Sequence, residues 1–213
     1  MLDNAFSELK KSLNEKLLVI SSECTIAPAI VAYSSLANSR KQPRIIWIDA
    51  HADINEPASS PSGKVCGMSM GAISFRIKEL QWSGSTESIV STSNIIYYGL
   101  RSVDPPEDKF LNDNNFRVAN DFVDLLNWVA LSATPVYLHI DLDAIDPNEM
   151  PAVNYPVPNG IKASDLANFI KGLDFNLIQV VSLCSFNSRG PEVVSSLAVI
   201  RELYNLIYSR MTT

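Results

Sequence analysis

The chain has no apolar run approaching the ~20 residues that a membrane-spanning helix needs. Its first segment, Met1 to Lys16, is charged and polar and carries no signal-peptide core. Basic residues are also in short supply. Seventeen Lys and Arg against 23 Asp and Glu leave a formal charge of -6 and a pI near 4.9, a balance that argues against nucleic acid or an anionic membrane as partner, because both need clustered cations. The three cysteines, Cys24, Cys66 and Cys184, are odd in number and lack zinc-ribbon spacing, so they read as reduced thiols and not as a disulfide framework. Internal repeats and linker-like stretches are absent too. These absences predict a cytoplasmic protein, a single domain over residues 1–213, whose partner is a small molecule. What is present is ordinary globular composition, with 46% hydrophobic and 19% charged residues.

Helical and extended patterns alternate along the chain. Asn4 to Leu17 places Leu9, Leu13 and Leu17 at four-residue spacing, and Thr25 to Asn38, Gly67 to Leu80, Asp121 to Leu131, Ala163 to Leu173 and Pro191 to Ser209 also read as helices. Pro105-Pro106 opens a further short one. Strands are expected at Leu17–Ile20, 45–48, 94–98, 136–140 and 177–183. Residues 54–65 and the proline-rich stretch from Pro147 to Pro158 have loop composition. This alternation predicts an α/β fold with a mainly parallel sheet covered by helices.

In open parallel sheets, ligands bind at the carboxyl ends of the strands. There the chain concentrates its acidic groups. Asp49-Ala50-His51-Ala52-Asp53 follows the buried run Ile45–Ile48, and Asp141-Leu142-Asp143 follows Val136–Ile140. Four carboxylates and one imidazole delivered to two strand ends form a donor set for divalent cations. His139, two residues before Asp141, points to the same side one layer deeper; packing is its first reading and ligation its second. Cys184 stands in the same relation to Ser182 and reads as a small buried thiol.

Four segments carry a resemblance. Asp49 to Asn55, Ser62 to Gly67, Gly99-Leu100-Arg101-Ser102-Val103-Asp104-Pro105, and Asp141 to Pro147 resemble the arginase/ureohydrolase family in order and spacing. That family includes arginases, agmatinases, formiminoglutamases and N-hydroxyarginine hydrolases. The resemblance implies a three-layer α/β/α sandwich. It also implies two manganese ions bridged by a hydroxide that attacks a guanidino carbon and releases urea. Carried over, Asp49 and Asp141 bridge both metals, His51 and Asp143 complete one site, and Asp53 with Cys24 completes the other. Asn55, Ser60 and Ser62 match positions that bind the substrate α-carboxylate, and Asp104 and Glu107 match those near its α-amino group. These positions favour an arginine-like amino acid over a bare amine.

The departures from the family pattern concern the guanidine end. Cys24 stands where the family has a metal-binding His, which favours zinc or iron at that site. Cys66 replaces a proton-shuttling His, so Asp53 and Cys66 are the candidates for proton handling. Ser182 or its neighbour replaces a Glu that pairs with the guanidinium, and Tyr155 takes the place of a small hydroxyl residue. The alternatives to an active amidinohydrolase are a catalytically weak relative acting through metal or partner binding, and a zinc amidohydrolase or deacetylase-like enzyme. Relative to the family pattern, the first edge strands are expected to be missing from this sequence. Leu17–Ile20 is then expected at an edge, covered by the first helix or by a second copy of the chain.

Overall fold

The computed structural model describes residues 1–74, 76, 77 and 83–212. Six strands form one sheet, β1 (Leu17–Ile20), β2 (Arg44–Ile48), β3 (Ile95–Tyr98), β4 (Arg117–Val118), β5 (Val136–Asp141) and β6 (Ile178–Cys184), in the order β1-β6-β5-β2-β3-β4. Every pairing is parallel. The α/β expectation therefore holds.

β2 and β5 lie at the centre and are buried along their whole lengths, as a strand covered on both faces must be. Their side chains alternate between two cores. Ile46, Ile48, Leu138 and Ile140 face one core, shared with α5 (Phe122–Ala130), α6 (Ala163–Gly172) and α7 (Val193–Met211). Ile45, Trp47 and Tyr137 face the other, under α2 (Ala27–Ala37). Small side chains let α2 be enclosed on both sides. Ile30, Val31 and Tyr33 reach the sheet, while Ala29 and Ala32 receive Phe6 of α1 (Leu2–Leu9).

Several expectations need correction. α1 ends at Leu9 and a 3-10 turn reaches Ser12, because the chain reverses at Asn14 in the left-handed region (φ 77°) and carries Leu17 into β1. α1 packs on α2, and of β1 only Ile20 is exposed. The helix expected over Gly67 to Leu80 is a 3-10 turn at Cys66–Met68 followed by α3 (Ser69–Ile73); residues 75 and 78–80 lie outside the described residues. β4, too short and exposed to leave an apolar signature, went unanticipated. Among the described residues no helix is long and apolar enough to cross a membrane.

Candidate metal centre

The parallel register aligns the chemistry in two rows. Trp47, His139 and Ser182 are neighbours across β2, β5 and β6. One step further along, Asp141 pairs with Cys184, and Asp49 follows β2 directly, its N–H donating to the Tyr98 carbonyl at 3.1 Å. Gly99 makes this approach possible. It sits at φ 94°, and a Cβ there would stand 3.1 Å from the Asp49 carbonyl oxygen.

Each carboxylate is aimed by local donors. Asp49 accepts from its own loop at His51 N (2.7 Å) and from Trp47 Nε1 (3.0 Å). Asp141 accepts from Asp143 N (2.9 Å), from the Cys24 thiol (2.9 Å) and from the Ser185 hydroxyl. Asp143 accepts from Ala50 N (3.3 Å) and lies 3.1 Å from His51 Nδ1. His51 also stands 3.5 Å from Asp49. Arg101 fixes the surrounding loops by donating to the carbonyls of Gly99, Asp143, Val157 and Pro158. It serves as a scaffold residue, directed at backbone oxygens.

Among the described residues, two donor groups contain carboxylates. The atoms of Asp49, His51 and Asp143 lie within 4.8 Å of one another, as do those of Cys24, Asp49, His139 and Asp141. Asp49 belongs to both. Asp53 lines the adjoining cavity and its carboxyl stands within hydrogen-bonding reach of Cys24, as expected, although it falls outside both groups. Its backbone is left-handed (φ 50°), a conformation held by Met70 N and Gly71 N donating to its carbonyl.

The electrostatics register an uncompensated cluster. Burial, and then the Asp143 charge, push Asp49 up to about 7. Asp141 and Asp53 are raised well above the usual carboxylate range, by burial first and by neighbouring carboxylates second. Burial opposes a charge on His51, yet its contacts with Asp143 and Asp49 outweigh that and push it to about 11. His139, with no such partner, is pushed down to about 3 by burial. The Cys24 thiol is raised by its hydrogen bond with Cys184 and by burial. Buried carboxylates that repel one another and share a single basic imidazole fit a divalent cation, whose charge removes the cost of ionising them.

Above this cluster opens a cavity of about 210 Å³ lined by Glu23, Cys24, His51, Asp53, Asn55, Ser62, Lys64, Cys66, Gly67, Ser102, Asp104, Glu107, Asp141, Asp143, Tyr155 and Ser185. Most of the expected site residues converge here. Asn55 donates to Asp104 (2.9 Å), joining the loop after β2 to α4 (Pro105–Asp113). Glu107 faces the cavity but is committed to structure, accepting from Ile54 N and Asp104 N at 3.0 Å each. Burial, then Asp53 and Glu23, raise the Cys66 thiol, so it is held protonated.

Two expected substrate-contact residues lie elsewhere, and Asp49 stays buried behind the lining. Ser60 is absent from the lining and accepts a bond from Gly63 N. Ser182 is wholly buried within β6, bonded to Tyr137 (2.8 Å) and His139 (2.9 Å), and cannot meet a ligand in the cavity. The nearby residue that does line it is Ser185, directly after β6, in a left-handed backbone conformation (φ 71°). Sequence reasoning also passed over Lys64, whose ammonium sits 4.0 Å above the Tyr155 ring, although its segment carried part of the resemblance.

Comparison with known proteins agrees with this geometry. The arginase family model matches residues 12–187. The hepatic arginase of Aquarana catesbeiana is 29% identical over 229 aligned residues, covering 97% of this chain and 68% of that protein. The arginase of Neurospora crassa is 30% identical over 163, covering 68% of this chain and 45% of that protein. The chain thus spans less than half the length of the Neurospora relative. Among solved structures, the Bacillus cereus arginase superimposes with a TM-score of 0.85 at 22% identity, covering 97% of this chain and 76% of that one. The Entamoeba histolytica arginase in complex with L-ornithine gives 0.83 at 22%, covering 97% and 75%.

Proposed function

The chain belongs to the arginase family, and from that premise we propose that it is a metal-dependent amidinohydrolase, cleaving a C–N bond of a guanidino- or amidino-bearing amino acid. The observation that carries this reading is the convergence of His51, Asp141 and Asp143 on the lining of a cavity, with the buried Asp49 grouped against them. These residues would hold manganese, Asp49 being common to both donor groups. A bound divalent cation supplies Lewis acidity and a lowered water pKa there.

This chain's own residues account for the rest. The Lys64 ammonium is a counter-charge for a substrate α-carboxylate, with Asn55 and Ser62 as neutral donors, while Asp104 offers a carboxylate to the α-amino group. Asp53 and Glu23 add further acidic groups to the lining. Cys66, protonated, can give a proton to a departing amine but is poorly suited to remove one at neutral pH. The experiment is metal analysis of chelator-free protein paired with urea release from arginine and N-hydroxyarginine under manganese.

One observation favours the second reading, a weak or inactive relative acting through metal or partner binding. Ser185 presents a hydroxyl already committed to Asp141. The β6 side therefore offers a guanidinium no carboxylate, and a charge-assisted bond is about twice as strong as a neutral one. Metal uptake without urea release would select that reading.

A further inference from the structure

Beneath the cavity wall, His139 and Cys184 meet Cys24, and the proposed hydrolysis uses neither of the deeper two. The donor atoms of the three lie within 4.8 Å of one another, and Cys24 Sγ stands 3.4 Å from His139 Nε2. All three side chains are at most 2% exposed. The imidazole is held from several sides. It stacks on Trp47 at 3.6 Å and 16°, and its Nδ1 meets the Tyr137 hydroxyl at 3.0 Å and the Ser182 hydroxyl at 2.9 Å. Those contacts occupy Nδ1 and aim Nε2 at sulfur, the arrangement that holds a ligating histidine in place.

We propose that Cys24, His139 and Cys184 form a closed thiolate-imidazole site for one zinc ion, distinct in donor set from the carboxylate site of Asp49, His51 and Asp143. Two thiolates and a neutral imidazole around a dication sum to zero charge, the condition for enclosing them away from water. Sulfur donors select zinc over manganese, and three protein donors leave a fourth position for an oxygen. Cys24 also lines the cavity, which gives an ion a way in. The proposal shares Cys24 with the hydrolase reading but requires no turnover, so the two can fail separately.

The test is zinc K-edge X-ray absorption on the full chain loaded with one equivalent of zinc chloride. The site predicts two sulfurs at about 2.3 Å and one imidazole nitrogen at about 2.0 Å. A shell of oxygens with one sulfur or none, or failure to take up zinc, overturns it. Substitution gives a second reading. Cys184→Ser and His139→Gln, checked for folding by zinc-free urea denaturation, should lower zinc affinity about 100-fold or more, and Ser182→Ala about tenfold. Should either ligand variant not fold, Ser182→Ala alone decides, and unchanged affinity in the folded variants overturns the site. Urea release separates the two proposals. An inactive protein with the two-sulfur zinc shell keeps this one and sinks the hydrolase, whereas an active manganese enzyme with oxygen-only zinc does the reverse.

Discussion

The two ends of the donor cluster stand on the same strands yet follow different chemistry. At the end facing the cavity, carboxylates and His51 make a hard, oxygen-rich site whose groups repel one another; at the end facing the sheet, thiols and a neutral imidazole sit in apolar packing. Burial drives the carboxylates of the first set toward protonation and His139 toward neutrality, while His51 is held charged against burial by Asp143 and Asp49. The lesson is that strand register places side chains, and the number of like charges around each then decides what it can bind.

The comparison breaks most severely at the carboxylate that stands between the two ends. Asp141→Asn removes a carboxylate that faces Cys24 and anchors Asp143, and is expected to reduce urea release about a thousandfold, since a cation's contribution amounts to several kcal/mol. Turnover assays at saturating manganese check this.

Proton linkage gives the next largest effect. The raised pKa of His51, about 11 folded against 6.5 ordinarily, means the native state holds a proton that the unfolded state gives up. Its stabilisation is complete below about pH 6.5 and is lost as pH rises toward 11. The raised Asp53 and Asp141 also hold protons that the unfolded state gives up, so they act in the same direction as pH rises above the ordinary carboxylate range, and His139, titrating between about 3 and 6.5, is silent above pH 7. Metal-free protein should therefore lose roughly 1 kcal/mol per pH unit between pH 7 and 9. Urea denaturation at fixed ionic strength tests it. Manganese should reverse the trend, because ligands bind a cation in their deprotonated forms.

Smaller changes sharpen the contrast between cavity and sheet. Lys64→Ala should raise KM about tenfold with kcat nearly unchanged, the signature of lost uniform binding. Trp47→Phe removes the indole bond to Asp49 but keeps an aromatic face for His139. It should cost about 1 to 2 kcal/mol in denaturant unfolding and leave zinc affinity within a fewfold of the parent.

Legibility in the sequence followed the same division. β2 and β5 announced themselves as continuous apolar runs with acidic groups at their ends, and the parallel sheet followed from alternation with helices. The family resemblance placed the lost Glu at Ser182 or its neighbour, and Ser182 lies within β6 on the same face as Cys184. Ser185 would point away from that face in a continued strand, and only its left-handed turn brings it to Asp141. No residue pattern signals such a turn at a serine. His139 and Cys184 were individually visible as buried polar side chains, but their meeting with Cys24 depends on β5, β6 and the turn after β1 at once. The end of α1 was obscured because Leu13 and Leu17 continue the helical spacing past the reversal at Asn14.

The most direct test of the central claim is metal content by mass spectrometry on chelator-free protein, followed by manganese-supplemented urea release from arginine and N-hydroxyarginine. The account predicts at least one manganese per chain, lost in Asp143→Asn, together with urea release that depends on it. No metal after supplementation and no urea from either substrate would contradict it.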